Sequence, residues 1–328
     1  MDRRPKRLDG TQRPPRSVLV IGEALVDHFA DGAVVGGAPF NVARSLAALG
    51  VPTTMVTRIG EDDDGARVLA SALRFGMHDG AIQRDRKRPT GAVTVTERDG
   101  EHRFRIHPDA AWDHIALDAA SRVLRGAAPK VVYFGTLAQR SATSARTIHA
   151  LLEQTGALRY LDLNLRAGQD NRDIAAASLE RADWVKVNDD ELRSLLVWFV
   201  PEVDAAAGND SAAMRAGVHQ LMQRFSLARL IVTRGAAGYT AYDARARRIA
   251  RGAAHPVAQV VDTVGAGDAF SAACLALHIV GRTFAESLAL ASRYAAAICA
   301  ERGALPEDPV FFRAWRQALG LARSALIR

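Results

Sequence analysis

Short apolar runs alternate with longer amphipathic stretches along almost the whole chain. Ser17–Ile21, Thr53–Ile59, Val131–Phe134, Tyr160–Leu163, Trp184–Val187 and Leu230–Thr233 are brief and apolar on consecutive positions. Pro39–Leu49, Gly65–Phe75, Ser144–Gln154 and Ala269–Val280 are longer and read as helices, the first three closed by Gly50, Gly76 and Gly156. Strands apolar on both sides and separated by helices predict a mostly parallel sheet covered on both faces, a three-layer α/β/α sandwich. Ligands of such sheets bind beyond the carboxyl ends of the strands. Residues that follow strands are therefore the candidates: Asp27 on the loop after the first strand, Asn164, Arg166, Asn188, Arg234 and Asp262.

One region changes period. Val93 and Val95 alternate with Thr94 and Thr96, and Phe104 and Ile106 alternate with Arg103 and Arg105. With Asp99-Gly100 near the tip, this predicts a hairpin. A further strand at 28–36 joins it in a small antiparallel β lid, formed from about 28–36 and 90–107. An ordinary surface hairpin fits the same pattern. The apolar face needs a cover, which leaves a homodimer through the lid open.

The run Val261-Asp262-Thr263-Val264-Gly265-Ala266-Gly267-Asp268-Ala269-Phe270 joins a strand-like stretch (Val257–Val261) to the Ala269–Val280 helix. Small residues at Gly265, Ala266 and Gly267 let main-chain N–H groups approach an anion at the positive end of a helix. Asp268 falls in the first turn, beside that anion. A carboxylate there repels a static phosphate but suits a base serving a nucleophile that attacks it. A tight turn with ordinary capping residues explains the segment equally well at this point. A second glycine-bearing segment, Gly36-Gly37-Ala38-Pro39-Phe40-Asn41, starts another helix, and Asn41 offers an amide donor and acceptor to a polyhydroxylated ligand.

Composition narrows the classes. Hydrophobic residues at 48% and charged residues at 24% describe an ordinary globular protein, and no apolar run is long enough to span a membrane. Residues 1–16 are basic and proline-rich without an apolar segment, predicting a disordered tail ahead of one domain over 17–328. The net charge of +7 comes with only 6% aromatics, which argues against nucleic acid as a partner. Cys274 and Cys299 sit in apolar helical stretches and read as free buried thiols of a cytoplasmic protein.

The segments GGAPFNVA (36–43) and DTVGAGDAF (262–270) resemble the two signatures of the ribokinase-like (PfkB) family of carbohydrate kinases. GEALVD (22–27), IGEDDDG (59–65), DLNLR (162–166), KVNDDE (186–191) and VTRGAAG (232–238) follow in the family's order. The start, GGAP-x-NVA and D-x-NLR are most similar to the fructokinase branch. The resemblance implies ATP-dependent phosphorylation of a sugar hydroxyl, with ATP and Mg²⁺ as cofactors, K⁺ as a further cation, and sugar and ATP as small-molecule partners. It gives Asp268 the role of general base and Gly265–Gly267 that of anion hole, with Arg166 assisting. Asp27, Gly37, Asn41, Asn164 and Arg166 are implied sugar contacts. Asn188, Thr233, Gly235, Gly238, Gly267 and Ser292 fall to the nucleotide. Asn188 and Glu191 fall to Mg²⁺ through water, and Asp262 and Thr263 to a monovalent cation. Ribose, 2-keto-3-deoxygluconate and nucleoside kinases share the pattern, and so would a binding protein that had lost catalysis. Many fructokinases carry proline where this chain has Leu163 and a small residue where it has Phe40, so fructose specificity does not transfer by resemblance.

Overall fold

The computed structural model describes residues 17–98, 101–166, 171–204, 208–209 and 211–321, with no side-chain description for 97–98 and 101–103. The tail expected at 1–16 and the turn expected at 99–100 lie outside these residues.

Strand β1 (Val18–Ile21) lies inside a nine-stranded sheet. On one side it pairs with β4 (Thr53–Gly60), which pairs with β5 (Ile82–Asp85). On the other side follow β8 (Val131–Phe134), β9 (Leu158–Asp162), β10 (Trp184–Asn188) and β11 (Arg229–Thr233), all parallel. Two antiparallel strands, β12 (Tyr239–Asp243) and β13 (Arg248–Gly252), finish that edge.

The period of two along each strand divides the core in two. Val18, Val20, Met55, Ile59, Tyr133 and Tyr160 pack against α1 (Ala38–Ala48), α2 (Asp63–Arg74), α8 (Ala266–Ile279) and α9 (Phe284–Ile298). Leu19, Ile21, Val56, Val132, Phe134 and Leu161 pack against α3 (Leu117–Ala127), α4 (Ala142–Gln154), α5 (Arg172–Leu179), α6 (Asp189–Phe199) and α7 (Ala212–Arg224). A last helix, α10 (Pro309–Ala318), adds Phe312 to the buried residues. The three layers are those the alternation predicts.

A second sheet has four strands: β2 (Leu25–Phe29), β3 (Gly32–Gly36), β6 (Gly91–Arg98) and β7 (Glu101–Ile106). Its two hairpins are antiparallel inside, and they join through a parallel β2–β6 pairing. Leu25, Val93 and Val95 form its own small core, with Phe29 and Ile106 packed against them.

Two expectations change. Asp27 is not on a loop, because β2 starts at Leu25 and carries it in register with Val34 and Val93. The stretch Val257–Val261 is not a strand. The Val261 and Asp262 N–H groups donate to the Cys299 carbonyl at the end of α9, leaving Val260 and Val261 more than half exposed. The hairpin β12–β13, not foreseen, provides the sheet edge instead.

Among the described residues no helix is long and apolar enough to cross a membrane. Both cysteines are free, Cys274 buried and Cys299 half-buried.

Candidate active site

The sheet order reverses at β1, whose neighbours β4 and β8 lead away in opposite directions. A crevice at such a point collects the loops that follow several strands. Here it gathers Glu23 after β1, Asn164 and Arg166 after β9, and the first turn of α8.

Gly265 caps α8 with φ 76, and a Cβ there would stand 2.6 Å from the Ala304 Cα, so this start is open only to glycine. The turn presents main-chain donors to the crevice, since the first N–H groups of a helix have no intrahelical acceptor. The Ala266 N–H does reach Thr263 O, at 3.3 Å, a long bond that an incoming anion can compete for. Behind the turn, the Lys186 Nζ is 3.3 Å from where a Gly267 Cβ would stand. Lys186 holds both Asp162 oxygens at 2.9 Å, and the Ser271 hydroxyl donates to Asp162 Oδ2 at 2.8 Å.

The sugar-side and anion-side segments meet. Asn41 Nδ2 donates to Asp268 Oδ2 at 2.9 Å across 227 positions of chain. Asp268 keeps some surface toward the crevice, yet burial raises its carboxyl to about 6. The Asp162 charge adds to that rise, while Asn41, Lys186 and Arg166 oppose it. Glu23, 2% exposed and with an Oε2 that has no partner, is driven by burial to about 7 against the pull of its own backbone, Arg166 and Arg140. Asp27 is raised by burial and pulled back by Arg166 and His28. A single guanidinium thus acts on three carboxyl groups, and its Nε is buried without a hydrogen-bond partner. Gly36 makes room for this arrangement, because a Cβ there would fall 2.6 Å from Asp27 Oδ2. Gly37 is likewise hemmed in, its φ of 100 and the Glu23 carbonyl at 2.9 Å excluding a side chain. Asn164 follows β9 in the left-handed region at φ 45, which asparagine tolerates. Phe40, which neighbours the sugar-side segment in sequence, is fully buried in the core and does not face the crevice.

The remaining predicted residues lie on loops beyond β10 and β11 and on the last helices. Asn188 and Glu191 form a reciprocal capping box on α6. Asn188 Oδ1 accepts from Glu191 N, and Glu191 Oε2 accepts from Asn188 N, both at 2.8 Å. Glu191 Oε1 accepts from Leu165 N, so both carboxylate oxygens are occupied by main-chain donors. The exposed Asn188 is the member of the pair open to solvent. Among the described residues no group of three or more His, Cys, Asp or Glu side chains could hold a metal.

Thr233 bonds the Val187 carbonyl at 3.3 Å. Gly235 opens a short 3₁₀ turn, and Gly238 lies too close to the Gly252 carbonyl for any Cβ. Asp262 joins two loops, accepting from Val264 N at 2.9 Å and Gly303 N at 3.1 Å. Thr263 is exposed beside it, and Ser292 is half-buried on α9.

The pfkB family carbohydrate kinase model matches residues 21–309. The chain belongs to that family. It is similar to Fructokinase-1 of Oryza sativa subsp. japonica, at 30% identity over 90% of this chain and 95% of the rice protein. It is equally similar to a Klebsiella pneumoniae fructokinase, at 30% identity over 89% of this chain and 96% of that one. An ATP-bound fructokinase structure from Xylella fastidiosa superposes with TM-score 0.79 at 23% identity, covering 94% of this chain and 99% of that one. A Vibrio cholerae fructokinase double mutant with fructose, ADP and potassium ion superposes at 0.73 and 20%, covering 93% and 99%. The protein is an ATP-dependent sugar kinase of the PfkB family, fructokinase branch.

Four residues of this candidate site have no role in the sequence pattern: Lys186, Asp162 and Glu23, which lie inside the family segments, and Arg44, which hydrogen-bonds Asn41. Lys186 had a signal. Of 43 basic side chains only four are lysines, and this one interrupts the apolar run Val185–Val187. A compact ammonium fits under Gly267 where a planar guanidinium would not.

Proposed function

We propose that the protein phosphorylates a hydroxyl of a fructose-like sugar, with Asp268 as the general base. The observation that carries this reading is the Asn41–Asp268 hydrogen bond, which puts a polyol-binding amide and a first-turn carboxylate into one crevice. A carboxyl raised to about 6 is a stronger base than an ordinary aspartate and is still ionised at neutral pH. The sugar lies against Asp27, Gly37, Asn41 and Asn164. Its attacking hydroxyl gives a proton to Asp268 while the N–H groups of 265–267 and Arg166 hold the phosphoryl oxygens. Phosphoryl transfer needs positioning and charge stabilisation above all, and this crevice supplies both.

ATP occupies the loops bearing Asn188, Thr233, Gly235, Gly238 and Ser292. Mg²⁺, bound with the nucleotide, supplies charge neutralisation for the phosphates. Glu191 does not fit as a direct ligand because its oxygens are taken, so a water-bridged role through Asn188 is the one these residues support. A monovalent cation fits main-chain oxygens between the 262–263 and 297–303 segments, which Asp262 ties together. The small sheet acts as a lid that excludes water, a competing acceptor. Leu25, Val93 and Val95 on its apolar face are buried within the chain, and the exposed Phe104 is the residue through which a homodimer would pair.

The test is ADP release with fructose, ribose, 2-keto-3-deoxygluconate and nucleosides, with K⁺ replaced by Na⁺ in a parallel series. Turnover fastest with fructose is expected. Near-normal turnover by Asp268→Asn would remove the proposed base, and binding of these sugars without ADP release would remove the catalytic reading.

A further inference from the structure

Arg44 is a buried cation with no carboxylate in contact. It is 7% exposed, and no ion pair within 4 Å engages it among the described residues. Desolvating a guanidinium without a counter-ion costs several kcal/mol, so such a residue persists where its hydrogen bonds compensate. Arg44 spends its Nη donors on three different elements, while its Nε is buried without a partner. Nη1 donates to Ser71 Oγ on α2 at 3.1 Å, and Nη2 donates to the Val35 carbonyl on β3 at 2.9 Å. Nη2 also donates to Asn41 Oδ1 one turn earlier on α1, at 2.5 Å. The Phe40 and Phe75 rings flank the guanidinium at 5.0 and 5.6 Å.

The Asn41 contact settles an orientation. Arginine only donates, so the oxygen of the Asn41 amide must face Arg44 and its NH₂ must face away. The group it meets there is Asp268, which only accepts when ionised. The order Arg44, Asn41, Asp268 is then a donor chain with one sense. A flipped amide would set oxygen against carboxylate at one end and NH₂ against guanidinium at the other. The same chain places a fixed positive charge one side chain away from the carboxylate, and burial that pushes Arg44 down to about 10 is opposed first by Asp268.

We propose that Arg44 is a positioning residue for phosphoryl transfer: it locks the Asn41 amide NH₂ toward Asp268 and places a buried positive charge one side chain away from that carboxylate. Through Val35 it also ties the base to β3 of the small sheet, so the lid and the base share one anchor. The inference rests on Asp268 being the base. Other titratable groups facing Asp268 are Asp162 on β9, Lys186 on β10, Arg166 after β9, Glu23 after β1 and Tyr133 on β8, and Glu307 acts beside Asp268 on Arg44 itself. None of these is in Arg44's hydrogen-bond set.

The experiment is the pH profile of kcat and KM for the full chain with its best sugar, for wild type, Arg44→Met, Arg44→Lys and Asn41→Ala. Arg44→Met is expected to lower kcat at pH 7 at least tenfold and to move the acid limb upward by about one pH unit, as loss of a nearby opposite charge does. KM for ATP should change little. Arg44→Lys, which keeps the charge, is expected to hold the limb near its wild-type position while recovering only part of kcat. In the Asn41→Ala background, Arg44→Met should lower kcat far less than it does alone, because the amide it orients is gone. An acid limb at the same pH in Arg44→Met and wild type would overturn the proposal, as would full additivity with Asn41→Ala. Should Arg44→Met fail to fold, the Arg44→Lys profile and its cycle with Asn41→Ala decide. If Asp268→Asn stayed active, the base assignment would fail, which is a separate outcome from an unmoved limb.

Discussion

Replacing Lys186 by methionine isolates one buried charge at nearly constant volume. The Lys186 and Asp162 side chains are 8% and 3% exposed, and both carboxylate oxygens lie 2.9 Å from the ammonium. Burial works against the lysine charge, but Asp162 outweighs it and holds the ammonium above its ordinary value. Without Lys186, Asp162 keeps, among the described residues, only the Ser271 hydroxyl at 2.8 Å as a side-chain hydrogen-bond partner. Removing one member of a buried, hydrogen-bonded pair costs about 3–5 kcal/mol, because the other charge is left uncompensated. Methionine fills most of the lysine stem's space, so packing adds little. That loss is a large share of a total stability of about 5–15 kcal/mol. Urea denaturation of the full chain at pH 7.5 should therefore show a much lower midpoint for Lys186→Met with an unchanged slope. The double variant Lys186→Met/Asp162→Asn should recover more than half of the loss, since a neutral amide still accepts from Ser271. A single-variant loss below about 1 kcal/mol, or a double variant as unstable as the sum of both singles, would refute this account of the pair.

Other outcomes follow from the same geometry. The folded-state carboxyl of Glu23 lies near 7 against an ordinary 4.5, so the folded chain binds the extra proton between those values and loses stability as pH rises through them. Glu23→Gln should stabilise the free enzyme at pH 8 by up to about 3 kcal/mol and flatten the pH dependence of Tm between 4.5 and 7; an unchanged slope would refute it. Asp62 caps α2 through Gly65 N at 2.8 Å and also holds Thr90 by its N–H and its hydroxyl at 2.8 and 2.6 Å. Asp62→Ala should cost about 1–2 kcal/mol in chemical denaturation and raise the sugar KM, since Thr90 leads directly into β6. Phe104, 61% exposed on the small sheet, lies on the face proposed to pair with a second copy. Phe104→Glu should lower the mass seen by light scattering to that of one chain, and an unchanged dimer would place the interface elsewhere.

The periodicity was enough for the layers because Val18 and Val20 versus Leu19 and Ile21 must be buried on opposite faces once helices cover both. It failed where tertiary contacts override a local pattern. Val257–Val261 has strand residues, but the Val261 and Asp262 N–H groups are taken by the Cys299 carbonyl at the end of α9 instead of a sheet partner. The main site segments were legible because glycine at Gly265 and Gly37 reports a backbone that admits nothing else. Glu23 and Arg44 were not, and Lys186 stood out without a role, because a charge inside an apolar stretch has no assignable role until its partner, more than twenty positions away for Lys186 and Asp162, is known. Phe40 shows the converse. Its neighbours in sequence line the crevice, but Phe40 itself is fully buried in the core.

The crevice is overloaded with carboxyl groups for a protein that must also receive the triphosphate of ATP. Asp27, Glu23 and Asp268 are all raised by burial, and all are restrained by the one Arg166. That restraint lasts only while no phosphate is present. In the proposed reaction, a phosphoryl group arriving at the N-terminus of α8 would draw Arg166 to itself and add negative charge beside Asp268, and both effects would raise that carboxyl further. Lys186 and Arg44 cannot follow the phosphate, one fixed by Asp162 and the other by Val35, Ser71 and Asn41. Lys186 opposes the rise of the Asp268 carboxyl from a fixed place, while in the proposed reaction Arg166 would be the part that moves. As the proposed base, Asp268 would then be most basic when sugar and nucleotide are both in place, which is when proton removal leads to transfer and not to a wasted alkoxide.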